Sequence, residues 1–275
     1  MKNHRNLSFY FLARSLFLGA LLLHAIVFLN GCASNSSGSN GADMVTDSDE
    51  PESRKRARIR LELAVGYYNN GQTAVALDEL KQSIAADPTM FEAYNLRGLI
   101  YMRLNDNAVA EDSFKRAIVI NPGAASVQHN LGWLLCQRGR YGDAALQFQN
   151  ALSNSTYGDR AKTWMALGLC QAKSGQLADA ESSLSRSYEM DAGNPITGYN
   201  LASLLYNRQD YVRAQFYVRR INNSELANAE SLWLGVKVER QLNSRDGMNQ
   251  LGTQLVKRFP QARESALYER GAFDE

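Results

Sequence analysis

Histidine and cysteine are the scarce chemistry-bearing residues of this 275-residue chain: His4, His24 and His129, and Cys32, Cys136 and Cys170. His4 and His24 fall in an N-terminal stretch that reads as removable, so no multi-histidine zinc site can be assembled from what remains. Asp and Glu are scattered without a paired-carboxylate constellation. There is no Gly-rich loop closing on Lys-Ser/Thr, no Gly-x-Ser-x-Gly elbow and no Gly-x-Gly-x-x-Gly turn. His129 has no nucleophile motif beside it and is expected as a half-exposed groove residue. The chain is therefore read as no enzyme, with no catalytic, cofactor-binding or metal site and no small-molecule substrate. Composition points the same way. Charged residues make up 21% and the formal net charge is +2. No basic stripe of the kind a nucleic-acid binder carries is present, so nucleic acid is not an expected partner. With 45% hydrophobic residues and only 5 prolines, long helices around a real core are expected.

Cys32 closes a pattern of its own. Lys2, Arg5 and Arg14 give a positive start, and no acid precedes Asp43. The apolar run from Ser15 to Leu29 is 15 residues long, short of the ~20 a helix needs to cross ~30 Å of hydrocarbon. That is the shape of a secretory signal peptide. It ends in Leu29-Asn30-Gly31-Cys32, which resembles a bacterial lipobox, although Asn30 departs from the usual small or aliphatic residue. Residues 1–31 are expected to be cut away and Cys32 to carry covalent lipid, with no other cofactor. Each buried CH₂ is worth ~0.8 kcal/mol, and more than one acyl chain makes such an anchor stable. Ala33, rather than Asp, after the cysteine implies sorting to the outer membrane, with the folded part in the periplasm. Losing the signal removes three basic residues and no acidic one, which takes the net charge from +2 to −1. Residues 32–56 then read as a disordered tether, rich in Ser, Asn and Gly and afterwards in acid. The cluster Arg54-Lys55-Arg56-Arg58-Arg60 is read as the solvated start of the first helix rather than a lipid-binding patch.

The rest of the chain repeats. Gly98, Gly132 and Gly168 align with Ala64 upstream and Ala202 downstream, at spacings of 34, 34, 36 and 34. Ala76, Ala110, Ala144, Ala180 and Ala214 follow twelve residues behind, and Gly71, Asn105, Gly139, Gly175 and Gln209 mark a turn between. A period of 34 built as helix–turn–helix resembles tetratricopeptide repeats. The implied fold is all-α: a right-handed superhelical solenoid of about six such repeats over residues 57–262. The repeats fall near 57–90, 91–124, 125–157, 161–194, 195–228 and a degenerate 229–260 with Gly247 in place of the small Ala. Residues 263–275 are expected as a C-terminal cap and tail. The small residues let paired helices approach, and Leu80, Phe114, Phe148 and Leu184 fill the space beside them. One hairpin cannot bury its apolar face alone, but a stack can. Two extra residues near Thr156–Gly158 suggest a longer connection, and a possible hinge, between repeats three and four.

In tetratricopeptide repeats the first helix of each repeat lines a concave groove. Mapped here, that face offers Leu61 and Tyr68, then Asn95, Leu99 and Met102, then His129 and Trp133, then Met165 and Leu169, then Tyr199 and Tyr206. Most are apolar or aromatic, and charge reaches the mapped positions only at the outer Arg58, Glu92 and Lys162. An apolar exposed face of this kind marks a protein partner site, although any one of these residues could instead pack between neighbouring first helices.

The anchor, the tether and the repeats, with Ala93-Tyr94-Asn95-Leu96-Arg97-Gly98-Leu99-Ile100-Tyr101-Met102 and His129-Asn130-Leu131-Gly132-Trp133-Leu134-Leu135-Cys136, resemble the type IV pilus biogenesis and stability lipoprotein (PilF/PilW) family. Arg97 departs from the small or aliphatic residue usual there. The resemblance implies a pilotin, a monomer that binds secretin subunits and promotes their localisation or assembly. An adaptor lipoprotein for a peptidoglycan hydrolase or a protease would carry the same fold and anchor. An enzyme with appended repeats would need a second domain, for which too little chain remains. Cys136 and Cys170 lie one repeat apart on neighbouring first helices, where an oxidising compartment favours a disulfide. Two buried, unbonded thiols are the alternative.

Overall fold

A computed structural model describes residues 49–274, so the signal peptide, Cys32 and most of the tether lie outside the described residues. From Pro51 onward the described residues form one compact unit. Among the described residues there are thirteen helices and no strand. Repeat one is α1 (Glu52–Asn69) and α2 (Thr73–Ala86), repeat two α3 (Phe91–Arg103) and α4 (Asn107–Ile120), repeat three α5 (Ala125–Gln137) and α6 (Tyr141–Ser153). Repeat four is α7 (Arg160–Lys173) and α8 (Leu177–Met190), repeat five α9 (Pro195–Asn207) and α10 (Tyr211–Asn222), repeat six α11 (Ala229–Gln241) and α12 (Arg245–Arg258). A short cap, α13 (Arg263–Glu269), closes the C-terminal end.

The turn inside every repeat is the same object. Gly71, Asn105, Gly139, Gly175, Gln209 and Asn243 all take positive φ, between 55° and 81°. Each time, the next backbone N–H reaches back to a carbonyl in the last turn of the first helix, from Gln72 to Tyr67 and from Asp210 to Leu205, at 2.9 Å. This left-handed cap satisfies carbonyls that the helix end would otherwise strand. It suits Gly and Asn and is strained for Gln. Gln209→Gly is therefore expected to raise unfolding free energy by about 0.5–1 kcal/mol, read by urea titration at unchanged m-value.

The small positions are explained by what faces them. A Cβ on Gly98 would stand 2.5 Å from the Phe114 ring, and one on Gly132 would stand 2.9 Å from Phe148. At Gly168 it would meet Leu184 at 2.7 Å and the Ala180 carbonyl oxygen at 3.1 Å. Leu80, Phe114, Phe148 and Leu184 are buried at these seams. Carboxylates stitch the repeats on the outside. Glu111 on α4 receives Lys115, Arg138 and Arg140, at 2.8, 2.5 and 2.8 Å. Burial pushes its pKa up, but the hydrogen bonds and charges of Lys115 and Arg140 outweigh this and hold it below the usual range. Glu181 receives Arg208 and Arg213 in the corresponding place on α8.

Two expectations change. The tether was placed through residue 56, but α1 begins at Glu52. Arg54 anchors this first turn on Asp87 at 3.0 Å, a partner 33 residues away, and Arg60 meets Glu79 at 2.9 Å. The sixth repeat is degenerate in letters rather than in form. Gly247 makes room for Glu239, whose Oε2 would lie 2.7 Å from a Cβ there. Glu239 is 1% exposed, and its Oε1 accepts from Gln215 and Arg219 at 2.9 Å each. A hydrogen-bonded carboxylate thus fills the space that Gly247 leaves. The longer connection after α6 is present at residues 154–159, and Arg160 donates to the carbonyls of Leu152 and Asn154 across it.

Candidate partner groove

First helices of repeats one and two, two and three, three and four, and five and six touch each other, with no comparable contact between second helices. Closer spacing along one side places α1, α3, α5, α7, α9 and α11 on the inside of the curve. The groove is built on that face. Leu61, Tyr68, Asn95, Leu99, Met102, Trp133, Met165, Leu169, Tyr199 and Tyr206 are all half-buried. Leu61 and Tyr68 lean on the core of repeats one and two. Leu99, Met102 and Trp133 lean on the core that runs from repeat two into repeat four, and Tyr199 and Tyr206 on that of repeats five and six. Each of these seven therefore gives part of its surface to the fold and leaves part open.

His129 does not belong with them. It was expected half-exposed, but it is only 7% exposed. Its Nδ1 shares a 2.8 Å hydrogen bond with Thr163 Oγ1 on α7, and its ring meets Phe148 edge-on at 5.8 Å. Burial first, and the nearby Lys162 charge second, push its pKa down to about 4, against a smaller upward pull from Asp159. A neutral, interlocked imidazole at neutral pH is a packing element. Two turns further along, Cys136 and Cys170 are joined in a disulfide with Cα atoms 5.8 Å apart. Asn130 Nδ2 donates to Asn95 Oδ1 at 3.0 Å, tying repeat three to repeat two beside it.

Several groove residues escaped the sequence reading. Arg103 lies 5.6 Å from the Tyr68 ring centroid, and Lys173 lies 5.9 Å from Trp133. Lys237 lies 5.5 Å from Tyr206 and 5.7 Å from Trp233. Arg103 stands one residue past Met102, and Lys173 four residues past Leu169, the last groove residues mapped on their helices. Lys237 stands on a groove position, but in the repeat dismissed as degenerate. Their long side chains reach back across the seam. Burial alone lowers the Lys237 pKa. Among the described residues no cluster of three or more His, Cys, Asp or Glu could hold a metal ion, and no helix is long and apolar enough to cross a membrane.

A family model described as tetratricopeptide repeat matches residues 61–125 and 129–195. The chain is 26% identical to the type IV pilus assembly protein PilF of Pseudomonas aeruginosa over 241 residues, covering 88% of this chain and 93% of that one. Among solved structures, PilW, a widely conserved type IV pilus biogenesis factor, superposes with a TM-score of 0.68 at 28% identity, over 76% of this chain and 96% of PilW. The Pseudomonas aeruginosa pilF structure superposes at 0.72 with 23% identity, over 80% of this chain and all of that one, a likeness of fold.

Proposed function

We propose that this chain, which belongs to the PilF/PilW family of type IV pilus tetratricopeptide-repeat proteins, acts as an outer-membrane lipoprotein that takes secretin subunits into its groove and promotes their localisation or multimerisation. The observation that carries the reading is the inner face itself. Ten half-buried, mostly apolar and aromatic side chains follow one another from Leu61 to Tyr206 on helices already held by their own core. Such a surface is preorganised, so a partner segment meets little ordering cost on the protein side. Tyr, Trp and Met suit it, because rigid aromatics anchor and Met adapts. The relatives in pilus assembly supply the machine, and a secretin segment bearing apolar side chains is the occupant. The acyl chains on Cys32 would commit the pair to the membrane, and covering the segment would suppress aggregation before insertion.

The test is a pull-down from envelope extract with wild type and with Trp133→Ala and Tyr206→Ala. Secretin is expected to co-purify with wild type, and each truncation of a desolvated anchor to cost about 2 kcal/mol of binding. Recovery of peptidoglycan hydrolases or proteases without secretin would assign the groove to a different envelope machine. In the same cells, Cys32→Ser is expected to move the folded protein from the membrane to the soluble fraction; retention in the membrane would remove the lipid anchor from the proposal.

A further inference from the structure

Ten contacts between a cation and an aromatic ring are present among the described residues, and three of them run between first helices of successive repeats. These are Arg103 of repeat two on Tyr68 of repeat one, Lys173 of repeat four on Trp133 of repeat three, and Lys237 of repeat six on Tyr206 of repeat five. They fall at alternate seams of the inner face, one for every two repeats. The remaining contacts stay within a repeat, join second helices, or involve the C-terminal tail.

The three cations share a second property. Five arginines of the outer face and turns are neutralised, Arg138 and Arg140 by Glu111, Arg208 and Arg213 by Glu181, and Arg219 by Glu239, while Arg116, Arg186 and Arg220 on second helices meet rings without an ion pair among the described residues. No ion pair joins Arg103, Lys173 or Lys237 to a carboxylate among the described residues, and their contacts are the ring faces. A ring face attracts a cation but, unlike a carboxylate, takes none of its hydrogen-bond donors. Lys237 shows what this costs. It is half-buried between Tyr206 and Trp233 and loses hydration with no acid to offset the loss. Burial first, and then the charges of Glu230 on the same helix and of Glu264, raise the Tyr199 pKa, and neither acid makes an ion pair with Lys237 among the described residues.

We infer that the inner face recognises a protein segment in which acidic side chains alternate with apolar or aromatic ones, the carboxylates docking on Arg103, Lys173 and Lys237 while the apolar groups cover Leu99, Met102 and Leu169 between them. The inference rests on the groove being the partner-binding face and does not depend on which protein supplies the segment. A carboxylate arriving at Arg103 or Lys173 meets an exposed cation already held against a ring, and at Lys237 a half-buried one, and charge complementarity then sets register. A wholly apolar segment would bury these cations unpaired, which is unfavourable.

Selection of a phage-displayed random dodecapeptide library on the purified folded domain tests this. Enriched peptides are expected to carry Asp or Glu within a few positions of Leu, Phe, Trp or Tyr. Against a synthetic enriched peptide, Lys237→Met, Lys173→Met and Arg103→Met should each weaken binding about tenfold, with melting temperatures unchanged. Charge reversal of the peptide to Lys should abolish binding. Enrichment of acid-free peptides, or no enrichment, overturns the inference. If Trp133→Ala weakens the peptide and the three methionine variants do not, the groove reading stands and the acidic specificity falls. If Trp133→Ala is also silent, both fall.

Discussion

Removing the Cys136–Cys170 disulfide should lower unfolding free energy by about 3–4 kcal/mol, the loop-closure value for a cross-link spanning about one repeat. The bond joins α5 to α7 and encloses α6, so in the unfolded chain it closes a loop of 34 residues. Both cysteines are nearly inaccessible, 2% and 1% exposed. A reductant must therefore wait for a local opening, and reduction of the folded protein should be slow. Cys136→Ala/Cys170→Ala leaves close-sized side chains, so the loss reports the cross-link more than a cavity. Urea titration of that variant beside wild type, with and without reductant, gives the number. Peptide mapping under non-reducing conditions, on protein recovered from the periplasm, gives the covalent state. Free thiols at both positions in folded material would leave two packed cysteines and no stabilisation to lose. The bond also has a bearing on the groove, because Trp133 and Leu169 ride on the two helices it clamps. Reduction should weaken partner binding as well as stability.

What was legible in the sequence was whatever the period writes in small letters. Gly98, Gly132 and Gly168 stand out because a Cβ has nowhere to go beside Phe114, Phe148 and Leu184. The turn series stands out because φ must be positive there. Asn243 continues that series 34 residues after Gln209 and went unread, because Gly247 made the sixth repeat look broken. The start of α1 was hidden for a different reason. Arg54 looks solvated in its local company of charges, and its partner Asp87 lies at the far end of the second helix. Arg103 and Lys173 were hidden by reach, since a mapping of helix positions follows Cα direction and a Lys or Arg side chain can leave it, and Lys237 was hidden because its repeat looked broken. His129 was misjudged by type. A polar residue in a groove register suggests exposure, yet Thr163 follows it by one repeat length, the same separation that joins Cys136 to Cys170.

That pairing makes His129 the strongest internal source of acid sensitivity. In the unfolded chain its imidazole titrates near ~6.5, and in the fold it titrates at about 4, chiefly because burial disfavours the cation. The folded state therefore binds its proton less readily than the unfolded state. The contribution is complete above the unfolded pKa and is lost as pH falls from 6.5 towards 4. The loss should reach about 2 kcal/mol by pH 5 and about 3 kcal/mol by pH 4. Carboxylates cannot mimic it over most of this window. Glu111 and Asp87, whose pKa values are lowered in the fold, withdraw their stabilisation only at lower pH. His129→Gln keeps a side chain able to hydrogen-bond to Thr163 Oγ1 and removes the titration. Its unfolding free energy should stay nearly flat between pH 7 and pH 5 while that of wild type declines. Parallel pH profiles for the two proteins would mean that the imidazole gains its proton in the fold as easily as in water, and the interlock between repeats three and four would then have to open on its own.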